Sequence, residues 1–167
     1  MTFLMVFPRQ LIGILRTWLL PDRQTILVTG ANGQVGRNIC SVFDGYYNVV
    51  GLSSLEMDVG EISAIQKTFD KVRPDVVINT AAYTKVDDAE INSGLANRTN
   101  FHAVKHLCDA CLQHNSLFIH FSTDYVFDGL AMRPYIEEDQ ENPLNAYGRS
   151  KSAGDRYIIK NAKHYLI

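Results

Sequence analysis

The chain has 167 residues, 46% of them hydrophobic and 20% charged, which suffices for one domain with a sizeable core and excludes a fibrous or low-complexity chain. A formal net charge of −2 and a pI near 6.2 give no electrostatic reason to expect nucleic acid or an anionic membrane as partner, so the expected ligand is a small molecule. Three cysteines, Cys40, Cys108 and Cys111, have no disulfide-framework spacing and suit a reducing cytoplasm.

Residues 1–24 are expected to lie outside the fold. Leu11, Ile12, Ile14, Leu15, Trp18 and Leu19 recur at helical spacing, but Arg9 and Arg16 interrupt them. The run is too short and too charged to span a bilayer, and Pro21-Asp22-Arg23-Gln24 offers no small-residue cleavage site for a secretory signal. From Thr25 onward, short β-rich runs alternate with longer helical ones. Ile26-Leu27-Val28, Val49-Val50-Gly51, Val76-Val77-Ile78 and Leu117-Phe118-Ile119-His120-Phe121 read as strands, and their continuous apolar character suits strands buried on both faces. Helices are expected over about 34–43, 62–71, 96–114 and 146–161, and His164-Tyr165-Leu166-Ile167 reads as a further strand beginning. This βαβα alternation predicts an α/β fold, a Rossmann-type doubly wound parallel sheet over 25–167, and a last strand that stops as it begins suggests a sheet truncated at its carboxyl end.

Thr29-Gly30-Ala31-Asn32-Gly33-Gln34-Val35-Gly36 follows the first strand and opens the first helix, the setting in which a glycine motif binds a dinucleotide. Gly30 would allow a tight turn, Gly33 a close backbone approach to a pyrophosphate, and Gly36 close helix packing, with the helix amides facing the phosphates. Where such sites usually carry an acidic residue after the second strand, the chain reads Gly51-Leu52-Ser53-Ser54. With neither carboxylate nor arginine there, NADPH is the expected cofactor and NADH remains open.

Tyr147-Gly148-Arg149-Ser150-Lys151 puts a phenol and an ammonium four residues apart on one helix face, where they can act as an acid/base pair. A free phenol titrates near about 10, so a neighbouring cation is needed to bring proton exchange toward neutral pH. Cys108-x-x-Cys111 lies within a helical stretch with no second pair to complete a zinc site, and packing is its expected role. His102, His106, His114 and His120 match no metal motif, so no metal is expected.

The glycine loop, Asn79-Thr80-Ala81-Ala82-Tyr83, Ser122-Thr123-Asp124-Tyr125-Val126-Phe127-Asp128-Gly129 and Pro143-Leu144-Asn145-Ala146-Tyr147-Gly148-Arg149-Ser150-Lys151 occur together and in order. Over residues 25–167 the chain resembles the nucleotide-binding part of the dTDP-4-dehydrorhamnose reductases, extended short-chain dehydrogenases. The resemblance implies hydride transfer from NADPH to the C4 keto group of a dTDP-6-deoxy-hexulose, toward dTDP-L-rhamnose, in the cytoplasm. It further implies that Thr123, Tyr147 and Lys151 are catalytic: Tyr147 gives a proton to the keto oxygen, Thr123 binds that oxygen, and Lys151 lowers the Tyr147 pKa and holds the nicotinamide ribose.

By the same resemblance Asp58 and Val59 contact the adenine, and Ala81, Ala82 and Tyr83 lie beneath the cofactor. Asn100 supports the lysine through water, and Thr84, Val86, Asp124 and Tyr125 line the sugar pocket. The resemblance allows a homodimer in the full-length enzyme. The chain departs from the family in its first residues, in Asp155 where a glutamate is usual, and in the absence of the carboxyl-terminal part. Two rival expectations follow: a non-catalytic regulatory subunit similar to the β subunit of methionine adenosyltransferase, and an inactive truncated fragment.

Overall fold

The structure, a computed structural model, describes residues 24–167; the expected extension over 1–24 therefore falls, for residues 1–23, outside the described residues. Five parallel strands form one sheet: β1 (Thr25–Thr29), β2 (Asn48–Leu52), β3 (Val76–Asn79), β4 (Leu117–His120) and β5 (Tyr165–Leu166), in the order β2-β1-β3-β4-β5. The principal helices are α1 (Gln34–Phe43), α2 (Ile62–Val72), α5 (Ala103–His114) and α6 (Ala146–Asn161). Two short helices, α3 (Asp88–Ile91) and α4 (Ser93–Asn97), precede α5.

Continuous apolar strands demand cover on both faces, and the core divides accordingly. Leu27, Val77 and Phe118 face a layer built from Ile65 and Phe69 of α2, Val104, Leu107 and Cys111 of α5 and Ile158 of α6. The alternate residues Ile26, Val28, Val76, Ile78, Leu117 and Ile119 face Ile39 of α1 on the other side. Two helices stop at left-handed residues, Arg73 (φ 46°) after α2 and Asn115 (φ 54°) after α5, and each turn feeds the next strand.

The helix expected over 96–114 starts earlier and is not uniform. After α4 the segment Arg98–His102 winds as a π-helix before α5 begins, and Asn100 sits buried at its centre. Such one-turn π segments place a side chain where regular winding would not, often at a functional site.

Because β1 connects to β2 on one side while β3 lies on the other, the strand order reverses between β1 and β3. The crevice beyond their carboxyl ends is where folds of this kind bind ligands. Phe118, on β4, is fully buried. Phe118→Ala is expected to cost about 3–5 kcal/mol in denaturant unfolding, whereas Tyr46→Ala, at a side chain 77% exposed, is expected to stay within about 0.5 kcal/mol of wild type.

Candidate functional site

Three strands of the sheet end in a polar residue, and parallel register places those residues side by side: Thr29 pairs with Asn79, and Asn79 with His120. All are buried and linked. The Thr29 hydroxyl donates to Asn79 Oδ1 at 2.5 Å, and Asn79 Nδ2 donates to His120 Nδ1 at 3.0 Å. Asn79 Oδ1 also accepts from the Ala81 amide, so the amide group cannot turn over without losing a bond. Nδ1 of His120 is therefore the bare nitrogen, and the neutral ring carries its proton on Nε2. Burial, and secondarily the charge of Lys151, push the His120 pKa well down, which keeps the ring neutral.

The glycine loop starts beside this row. Gly30 adopts φ +66°, and a Cβ there would come 2.8 Å from the Ala81 amide nitrogen, so the turn and its contact with the end of β3 both require glycine. A Cβ on Gly36 would meet the Ala31 Cα at 2.8 Å, which makes Gly36 the packing position of α1. No side chain caps α1 and no acidic residue lies in its first turn, while Asn32, Gly33 and Gln34 are exposed. The amides of that turn can thus serve a phosphate. The Ala31 amide donates to the Leu52 carbonyl at 3.1 Å, joining the loop to the end of β2.

At the end of β2 the structure corrects the sequence reading. A carboxylate is present: Glu56 folds back to accept from the Ser53 amide at 2.8 Å and the Ser53 hydroxyl at 2.7 Å, and these bonds hold its pKa below the usual range. A turn after Ser53 brings the acid to the strand end from three residues downstream.

Asp58 and Val59, expected at the adenine, are held by neighbours within the chain. Asp58 accepts from both terminal nitrogens of Arg98 and from the Gly60 amide, bonds that hold its pKa down. Val59 is buried in the core. Asn100 clamps the backbone after β3, accepting from the Tyr83 amide at 2.8 Å and donating to the Tyr83 carbonyl and the Ser150 hydroxyl. It thus fixes Ala81, Ala82 and Tyr83 relative to α6. Tyr83 hydrogen-bonds Asp88, while Val86 packs against the cluster of Ala89, Ala96, Ala146 and Tyr147, and Thr84 is exposed.

Tyr147 and Lys151 sit one turn apart on α6, whose start is pinned by Asn145 accepting from the Gly148 amide and by Glu90 accepting from the Ala146 amide. Tyr147 is 8% exposed and Lys151 2% exposed. Thr123 lies close enough to Tyr147 to bear on its ionisation, and the exposed Tyr125 ring meets Tyr147 edge-on at 5.6 Å, with Asp124 alongside. Thr123 and Tyr147 thus lie together at the carboxyl end of the sheet, with Lys151 one helical turn farther along α6.

The electrostatics differ from expectation. Burial raises the phenol above its ordinary value, with Asp124 and Asp155 adding to the rise, while Thr123 pulls it partly back. Lys151 faces elsewhere: Nζ donates to the Phe121 carbonyl and lies 3.1 Å from His120 Nε2. Burial pushes the Lys151 pKa down to about 8, against the upward pull of Asp155. Asp155, 2% exposed, accepts from the Ser122 hydroxyl and stands 3.5 Å from His120 Nε2; burial pushes it up to about 6.

His120 and Asp155 are thus part of the site although the sequence reading gave them no role. The signal for His120 was available as a polar residue closing an otherwise apolar strand. Asp155 was marked by lying four residues after Lys151, one helical turn away. Among the described residues no group of three or more His, Cys, Asp or Glu is placed to hold a metal, and no helix is long and apolar enough to cross a membrane.

With the site in view, comparison with known proteins gives a consistent result. Residues 24–167 match the family model described as RmlD substrate binding domain. The chain is 40% identical over 144 residues to a dTDP-4-dehydrorhamnose reductase of Aggregatibacter actinomycetemcomitans, covering 85% of this chain and 49% of that protein. It is 43% identical over 141 residues to the Burkholderia thailandensis reductase of the same name, covering 84% and 47%. The Bacillus anthracis dTDP-4-dehydrorhamnose reductase, solved in complex with NADP, superposes with a TM-score of 0.84 at 32% identity over 86% of this chain and 52% of that one. The chain spans about half the length of the curated relatives it matches.

Asn79→Ala would leave the Thr29 hydroxyl, the Ala81 amide and His120 Nδ1 without their present partners. Equilibrium unfolding should show a loss of about 2–4 kcal/mol, the penalty for stranding more than one buried polar group.

Proposed function

The chain belongs to the RmlD substrate binding domain family, and from that premise we propose that it binds NADPH and acts in the reduction of the C4 keto group of a dTDP-6-deoxy-hexulose, toward dTDP-L-rhamnose. The observation that carries the reading is that Thr123 lies against Tyr147 at the carboxyl end of a sheet whose first helix starts uncapped, with Lys151 buried one turn along the same helix as Tyr147. An uncapped α1 behind a glycine turn fits the pyrophosphate of a dinucleotide. NADPH, when bound, supplies the hydride.

The remaining chemistry falls to the chain's own residues. Tyr147, kept protonated by burial, is the proton donor to the developing alkoxide, and Thr123 orients it and shares the oxygen. Lys151 offers its charge to the nicotinamide ribose, and Asp124 and Tyr125 hold the sugar with Thr84 and Val86. Asn100 sets the lysine's helix against the backbone of Ala81, Ala82 and Tyr83. Asp58 and Val59 border the adenine.

One observation favours NADH as a second cofactor: the Glu56 carboxylate at the end of β2 suits a free ribose hydroxyl better than a 2′-phosphate. Side-by-side titrations with the two cofactors measure the preference. A homodimer of the full-length enzyme and a cytoplasmic setting, where the free thiols of Cys40, Cys108 and Cys111 would stay reduced, belong to the same proposal. The rival reading as a regulatory subunit leaves Thr123, Tyr147 and Lys151 without a use.

Titration with NADPH, followed by nicotinamide fluorescence, should give saturable binding that weakens as pH rises through about 8, where Lys151 loses its charge. Failure to bind at neutral pH would refute the proposal. In turnover with NADPH and the dTDP-hexulose, Tyr147→Phe should lower the rate by about 100- to 10,000-fold while NADPH binding survives. Unchanged turnover would remove Tyr147 from the acid role.

A further inference from the structure

Behind the trio lies a buried cluster whose donors and acceptors do not balance. His120 Nε2 carries a proton because Asn79 occupies Nδ1, and Lys151 Nζ, 3.1 Å away, is also a donor when charged. Two donors face each other. Nothing in that contact is an acceptor, and the Phe121 carbonyl takes only one of the ammonium's three hydrogens. Asp155 is the acidic residue of the cluster: Oδ1 stands 3.5 Å from His120 Nε2, which lies between it and Lys151 Nζ with no direct ion pair joining the two, and the residue follows Lys151 by four positions on α6. Oδ2 is taken by Ser122, while Oδ1 is buried and has no hydrogen-bond partner among the described residues.

We propose that Asp155 is the positioning residue of Lys151: its free Oδ1 supplies the counter-charge that keeps the buried ammonium protonated, and His120, locked as an Nε2 donor, sets the carboxylate's place. The proposal rests on the reading of Lys151 as the lysine beside the cofactor. The groups facing Asp155 are Lys151 and Tyr147 from its own helix, His120 from β4, Ser122 from the loop after β4, and Glu141 from the loop before α6. Glu141 is itself engaged by Ser152 and Arg156, at 2.6 and 2.9 Å. Lys151 is the one cation in that set. A buried carboxylate and a buried ammonium with few other partners each depend on the other for their charged form. With Asp155 raised to about 6 and Lys151 lowered to about 8, both are charged only between those values. Below the lower one the carboxylate is neutral; above the upper one the amine is.

The test follows Lys151 itself, by NMR of the full chain carrying ¹³C-lysine, assigned with Lys151→Met. In Asp155→Asn the titration midpoint of the Lys151 Cε signal should fall by about one unit or more, and Asp155→Glu should bring it back toward wild type. A folded Asp155→Asn protein with an unmoved midpoint would overturn the proposal. Should that variant fail to fold, the wild-type Asp155 Cγ signal decides. Coupling predicts two steps, one coincident with Lys151, and a single step in the ordinary carboxyl range would contradict it. NADPH affinity measured on the same samples separates the two ideas. Absent binding by wild type counts against the cofactor reading alone, whereas the Lys151 midpoint speaks only to Asp155.

Discussion

Thr29, Asn79 and His120 end three largely apolar strands, and the parallel register of β1, β3 and β4 sets them side by side. A buried polar group without a partner is costly, so the three must bond in a row, and they do. The row runs from the residue that precedes the glycine turn to the ring that abuts Lys151. It therefore ties the phosphate-facing end of the crevice to its acid/base end through side chains alone. The geometry of the site follows from this constraint: the Ala81 amide is held by Asn79, Gly30 must pass close to Ala81, and the His120 tautomer is decided by Asn79.

A second clamp joins the loop after β3 to α6. Asn100, displaced inward by the π segment, bonds both backbone groups of Tyr83 and reaches Ser150 on α6. One residue thus joins the loop after β3 to the helix that carries Tyr147 and Lys151. The contacts of Asn100 with Ser150 and Tyr83 come from the π segment, winding that places a side chain where a regular helix would not.

Much of the fold was legible because it depends on short-range pattern. Continuous apolar runs gave β1 to β4, the 3.6-residue spacing gave α1, α2, α5 and α6, and the glycine spacing marked the loop between β1 and α1. Tyr147 and Lys151 were legible for the same reason, lying on one helix. What escaped is information carried between distant segments. The link between Thr29 and Asn79 depends on strand register, and the one between His120 and Asp155 on how α6 crosses β4. Glu56 escaped for a smaller cause: its carboxylate returns to Ser53 through a turn, so the strand end carries an acid that its own residues do not show. Lys151 was expected to act on Tyr147, yet its nearest polar contacts are Phe121 and His120, because the buried row offers it partners that the helix spacing does not reveal.

The most direct test of the account is a crystal structure of the chain grown with NADPH. The account predicts the pyrophosphate on the amides that open α1, at Gln34 and Val35, and the nicotinamide ribose within hydrogen-bond distance of Lys151 and Tyr147. A dinucleotide bound away from the β1/β3 crevice, or one that leaves Lys151 in contact only with Phe121 and His120, would contradict it.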